Sequence, residues 1–112
     1  MKRKARILIV DDVASNVNIL SSFLKNDYEI EVATDGLSAM KLVKEAPLPD
    51  LILLDVNMRA MSGYEVIKKL KESERTQSVP VIFVTGNDSS EDEEEGLMLG
   101  AVDYITNLFV RR

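Results

Sequence analysis

Ile7-Leu8-Ile9-Val10-Asp11-Asp12 and Leu51-Ile52-Leu53-Leu54-Asp55 decide how this chain folds. Each begins as a short, continuous apolar run, the pattern of a parallel strand buried on both faces. Each ends in acid. If the two strands lie side by side, Asp11, Asp12 and Asp55 meet at one rim of a sheet. Like charges that close resist joint ionisation. A hard divalent cation with oxygen ligands relieves the repulsion, and Mg2+ is the cofactor such a cluster points to.

Outward from these runs, the chain alternates strand and helix. Arg6–Val10 reads as a strand, followed by a helix over residues 13–24 with Val13, Val17, Leu20 and Leu24 at helical spacing. Glu29–Ala33 reads as a strand, and residues 37–44 as a helix with Met40 and Val43 inward that stops before Pro47 and Pro49. Residues 51–55 form the third strand, and Gly63–Glu72 a helix that buries Val66, Ile67 and Leu70. Residues 81–85 follow as a strand, 92–99 as a helix closed by Gly100, and 103–106 as the fifth strand. Strands alternating with helices imply a parallel, doubly wound α/β sheet with right-handed crossovers. In such sheets ligands bind beyond the carboxyl ends of the strands, where both acidic clusters stand.

The 112 residues suffice for one domain and one core, and no linker or repeat divides them, so residues 1–112 are taken as a single domain. Residues 107–112 are too few for a stable helix after the fifth strand, so the domain is expected to be truncated there, with its final helix missing. Apolar residues make up 46% and charged residues 29%, ordinary values for a soluble protein. There is no cysteine and no histidine, which excludes thiolate chemistry, a Ser-His-Asp triad and histidine-bound zinc. A net charge of −5 disfavours direct contact with nucleic acid. The basic start Lys2-Arg3-Lys4 is followed by too short an apolar stretch for a signal peptide or membrane span, so the cytoplasm is expected. The acidic stretch 91–95 suits the positive end of a helix dipole, and Met58, Met61 and Met98 are expected to pack.

A carboxylate at a strand end beside Mg2+ can attack phosphorus and become an aspartyl phosphate, which gives Asp55 its candidate role. Asp11 and Asp12 would hold the metal. The plainer alternative is that Asp12 caps the first helix and Asp55 opens a turn. Thr85, followed by Gly86, ends the fourth strand, where its hydroxyl could meet a phosphoryl oxygen.

These residues together resemble the receiver domain of two-component response regulators. The matching text is Ile7-Leu8-Ile9-Val10-Asp11-Asp12, Asp55-Val56-Asn57-Met58 with Met61 and Gly63, Val84-Thr85-Gly86, and Gly100-Ala101-Val102-Asp103-Tyr104-Ile105-Thr106. Thr85 lies 30 residues beyond Asp55, and Tyr104 lies 19 beyond Thr85, as in that family. The resemblance implies a flavodoxin-like, five-stranded sheet in the order 2-1-3-4-5. It implies that Asp55 accepts a phosphoryl group from a histidine kinase or phosphotransfer protein in a phosphorelay, without turnover beyond slow autodephosphorylation. It gives Mg2+ the ligands Asp11, Asp12, Asp55 and the Asn57 backbone carbonyl. Thr85 matches the switch hydroxyl and Tyr104 the aromatic that turns inward with it, while Asn57 and Asn87 match positions that tune aspartyl-phosphate lifetime.

Three positions depart from the family. Asn107 stands where it has a lysine, Leu108 where a cis-linked proline follows, and Arg59 where proline is usual. Without the lysine a phosphorylated site keeps a net charge of about −2, so acceptance should weaken. The peptide before Leu108 should be trans. Arg59 is read as an outward, solvated side chain, with replacement of the missing cation as the alternative. Without a last helix, the fifth strand and the flanks of the first and fourth helices would expose apolar surface, including Ile105, Leu108, Phe109 and Val110, favouring a homodimer through the fourth helix and fifth strand or tail exchange. Two other readings compete: a degenerate receiver that serves as a non-switching interaction module, and a phosphohydrolase with an aspartate nucleophile. The latter lacks the acid expected two residues after Asp55, where Asn57 stands.

Overall fold

The computed structural model describes residues 3–45, 47–86 and 90–106, with the backbone alone at 90–92. Five strands, β1 (Arg6–Val10), β2 (Glu29–Ala33), β3 (Leu51–Leu54), β4 (Val81–Val84) and β5 (Asp103–Ile105), pair in parallel in the order β2-β1-β3-β4-β5. Between them run α1 (Ala14–Leu24), α2 (Gly36–Glu45), α3 (Gly63–Glu72) and α4 (Ser90–Met98). The sheet reverses its winding between β1 and β3, whose register sets Val10 beside Leu54. The residues that follow those two, Asp11 and Asp55, therefore leave the sheet side by side.

Alternation along the strands splits the core in two. Ile7, Ile9, Leu53 and Val84 face α1 and pack with Val17 and Leu20. Leu8, Val10, Ile52, Leu54, Val81 and Phe83 face the other way, against α2 and α3 through Ala39, Val43, Val66, Ile67 and Leu70. α3 owes its start to Ser62, whose hydroxyl accepts from the Glu65 N–H at 3.3 Å, and it ends with Lys69 and Lys71 against the negative dipole end. Gly100 lies just past α4 at φ 113, with its N–H on Leu97 O and that of Ala101 on Gly96 O. This left-handed turn is open to glycine, as the sequence implied.

Some expectations need correcting. Val13 is not an inward helical residue but the residue before α1, with 44% exposure. Nor does Asp12 cap α1: the cap position is Val13, with no side-chain bond. Met98 is 81% exposed rather than packed, whereas Met58 and Met61 do rest against the core. α2 and α4 begin at Gly36 and Ser90, before the starts expected at residues 37 and 92. Asn87, Asn107, Leu108, Phe109 and Val110 lie outside the described residues. No helix among the described residues is long and apolar enough to cross a membrane.

Candidate functional site

Backbone hydrogen bonds carry the ladder one residue past the strands and so fix three side chains at the carboxyl rim. The Asp11 N–H donates to Ala33 O at 3.1 Å, that of Asp55 to Val10 O at 2.9 Å and that of Thr85 to Ile105 O at 2.9 Å. Asp12 follows on the β1–α1 turn. The result is a compact acidic cluster: one carboxylate oxygen from each of Asp11, Asp12 and Asp55 lies within 4.8 Å of the others. Asp11 and Asp55 are buried and Asp12 half-buried.

Each acid is held by neighbours. Asp11 Oδ1 accepts from the Val13 N–H at 2.9 Å, and its Oδ2 from the Asn16 amide at 3.2 Å. Asp12 Oδ2 accepts from the Arg59 N–H at 3.2 Å. Burial pushes Asp55 up to about 7, with the charges of Asp11 and, more weakly, Asp12 adding to the rise; amide bonds from Val56 and Asn57 hold it back. Burial also raises Asp11, against the bonds from Val13 and Asn16. Three converging carboxylates, two of them buried with raised proton affinity, are a donor set that a hard divalent cation satisfies: it supplies the missing positive charge and takes oxygen ligands. The residues present fit such an ion.

The β3–α3 loop rims the cluster. Gly63 donates its N–H to Val56 O at 2.8 Å, and any Cβ there would run into the Asp55 carbonyl, so only glycine lets the helix start this close. Asn57, two residues beyond Asp55, is exposed. Thr85 stands at the same rim, on the neighbour of β3, with 2% exposure. Tyr104 is farther along the sheet and is buried, its ring 5.5 Å from that of Phe83 and its hydroxyl 3.2 Å from the Tyr64 hydroxyl. Gly96 of α4 makes room for it, since a Cβ there would lie 2.8 Å from the Tyr104 ring. Arg59 is exposed, as the sequence reading had it.

Sequence reasoning missed Asn16, Ala60 and Tyr64. Asn16 carried a weak signal, a polar residue in the first turn after the acids. Ala60 adopts φ 65, which no residue type announced. Tyr64 meets a partner 40 positions away.

A doubly wound sheet with an acidic cluster at its switch point defines a class of phosphate- or metal-handling α/β proteins. The comparisons narrow it. The pattern of the response regulator receiver domain matches residues 7–111. A probable cyclic di-GMP phosphodiesterase of Vibrio cholerae is 46% identical over 99 residues, 88% of this chain and 22% of that protein. The chemotaxis protein CheY4 of Vibrio cholerae superposes with a TM-score of 0.87 at 32% identity, covering 96% of this chain and 89% of that one. The Mn2+-bound form of response regulator Rcp1 gives 0.84 at 29% identity, covering 91% and 80%. The chain belongs to the response regulator receiver domain family, whose members accept a phosphoryl group from a histidine kinase or phosphotransfer protein rather than turn over a substrate. It spans about a fifth of the length of the first curated relatives it matches, at 22%.

Proposed function

We propose that this domain accepts a phosphoryl group on Asp55, with Mg2+ held by Asp11, Asp12, Asp55 and the backbone carbonyl of Asn57. One observation carries the reading: three carboxylate oxygens from two adjacent strand ends converge within 4.8 Å. That the similar response regulator Rcp1 has a Mn2+-bound form supports a divalent ion as ligand. When bound, the ion neutralises charge on the carboxylates and on the incoming phosphoryl oxygens.

The chain's own residues do the rest. The ladder bond to Val10 holds Asp55 in place, and the amides of Val56 and Asn57 favour its charged form. An Asp55 carboxylate oxygen bonds to phosphorus as the bond to the donor's imidazole nitrogen breaks; that nitrogen keeps the electron pair and takes a proton from solvent. Thr85, tied at the neighbouring strand end, contacts a phosphoryl oxygen through its hydroxyl, and Tyr104 answers its movement. Asn57 and Asn87 tune how long the acyl phosphate survives. The donor is a histidine kinase or phosphotransfer protein, and because that donor is charged from ATP the reading carries a cytoplasmic setting. The apolar surface of α4 and β5, with Met98 81% and Val102 61% exposed, supports a homodimer through that face.

Incubation with acetyl phosphate and Mg2+, followed by intact mass, tests the acceptor. A gain of one phosphoryl group, absent from Asp55→Asn, is expected. No gain in the unsubstituted chain would leave a non-switching binding module.

A further inference from the structure

Phosphorylation creates a charge deficit at this rim. Three carboxylates and a divalent ion sum to about −1, and a phosphoryl group on Asp55 takes the site to about −2. A partly buried site of that charge calls for a cation in contact. Most of the described lysines and arginines lie elsewhere: around the start of β1, just after α1 and α3, or beyond the first turns of α2 and α3. Arg59 alone among them stands on a loop at the carboxyl ends of the strands. Asn107, where the receiver family has a lysine, is uncharged.

The backbone of Arg59 is fixed twice. Its N–H donates to Asp12 Oδ2 at 3.2 Å, a bond that proline at this position would forbid. Its carbonyl accepts from the Met61 N–H at 2.7 Å, across Ala60 at φ 65. A tight turn around a left-handed alanine is strained and persists only where its surroundings impose it. The guanidinium, by contrast, has no ion-pair or hydrogen-bond partner among the described residues. Arg59 lines an open cavity of about 410 Å³ shared with Asp12, Thr34 and Asp35. The Arg59 amide touches an Asp12 oxygen, and Asp12 lies within 4.8 Å of Asp55, so the cluster is within the span of an extended arginine side chain.

We propose that Arg59 supplies the phosphoryl-contacting cation of this site, its guanidinium turning from the cavity onto the outward oxygens of phosphorylated Asp55. A planar fork of N–H donors suits two such oxygens. The inference rests on Asp55 as the acceptor. It is tested on the full chain with Arg59→Gln and Arg59→Lys, reading affinity for beryllium fluoride, phosphoryl gain from acetyl phosphate by intact mass, and Mg2+ affinity by calorimetry. Arg59→Gln should weaken beryllium fluoride binding and phosphoryl gain by about 10- to 100-fold, with Mg2+ affinity kept. Arg59→Lys should recover part of the loss. Phosphoryl gain in Arg59→Gln equal to that of the unsubstituted chain would overturn the role of Arg59 and leave Asp55 standing. A parallel loss of Mg2+ affinity would reduce Arg59 to a support for its loop and also overturn it. Failure of the unsubstituted chain to gain any phosphoryl group would sink the reading of Asp55 and this inference with it.

Discussion

Asp55 was legible in the sequence because its chemistry and its place coincide: an acid directly after a buried apolar run. Its environment was only half legible. The sequence offered the like charges of Asp11 and Asp12, but burial, the larger cause of its rise to about 7, comes from the folded chain. The sign of the consequence follows. An ordinary Asp sits near pH 3.9, so between about pH 4 and 7 the folded, metal-free chain holds a proton that the unfolded chain has lost. Stability therefore falls as pH rises through that window and levels off above it. Calorimetric melting without metal should show this fall, and Asp55→Asn should flatten it. At pH 8 that substitution should stabilise the metal-free protein by about 2–4 kcal/mol, since each unit of pKa is worth about 1.4 kcal/mol. A melting temperature that climbs from pH 5 to pH 8 without metal would contradict the account. Asn16 and Ala60 escaped the reading for opposite reasons. Asn16 is one polar side chain among several on α1, and Ala60 owes its φ of 65 to a turn no residue type demanded.

At the scale of elements, apolar runs marked the strands and helical spacing marked α1, α2 and α3, while α4 was read from its acidic start and from Gly100. Ends were less well marked. Val13 fits the helical spacing of α1 but lies before its first turn, since apolar period cannot tell a capping position from a buried one. Side-chain packing between elements away from the acidic rim was not legible. Tyr64 of α3, Phe83 of β4, Gly96 of α4 and Tyr104 of β5 form one aromatic cluster assembled from four segments. A Cβ at Gly96 would lie 2.8 Å from the Tyr104 ring and 3.0 Å from that of Phe83. Gly96→Ala should lower stability by about 1–3 kcal/mol through overpacking and push the Tyr104 ring outward, despite the better helix propensity of alanine. Denaturant melting and tyrosine exposure measure both. An alanine variant as stable as the parent, with Tyr104 still buried, would show that the cluster has slack.

For the molecule as a whole, alternating strands and helices implied a parallel sheet with its site at the carboxyl ends, and the resemblance to receiver domains supplied the strand order, so the acidic rim could be placed from the sequence. The surface was harder to read. Sequence pointed to Ile105 as exposed apolar area, and it is 37% exposed, but around α4 and β5 Met98 and Val102 are more exposed, at 81% and 61%. If α4 and β5 form a dimer face, sedimentation at tens of micromolar should show self-association, and Met98→Glu with Val102→Glu should shift the chain to monomer. A clean monomer before substitution would remove the dimer while leaving the site untouched. The site itself faces a more direct trial. Borohydride reduces an acyl phosphate of aspartate to homoserine, so treating the protein after acetyl phosphate and Mg2+ and sequencing its peptides by mass locates the acceptor. The account predicts homoserine at residue 55; homoserine at another aspartate, or none at all, would contradict it.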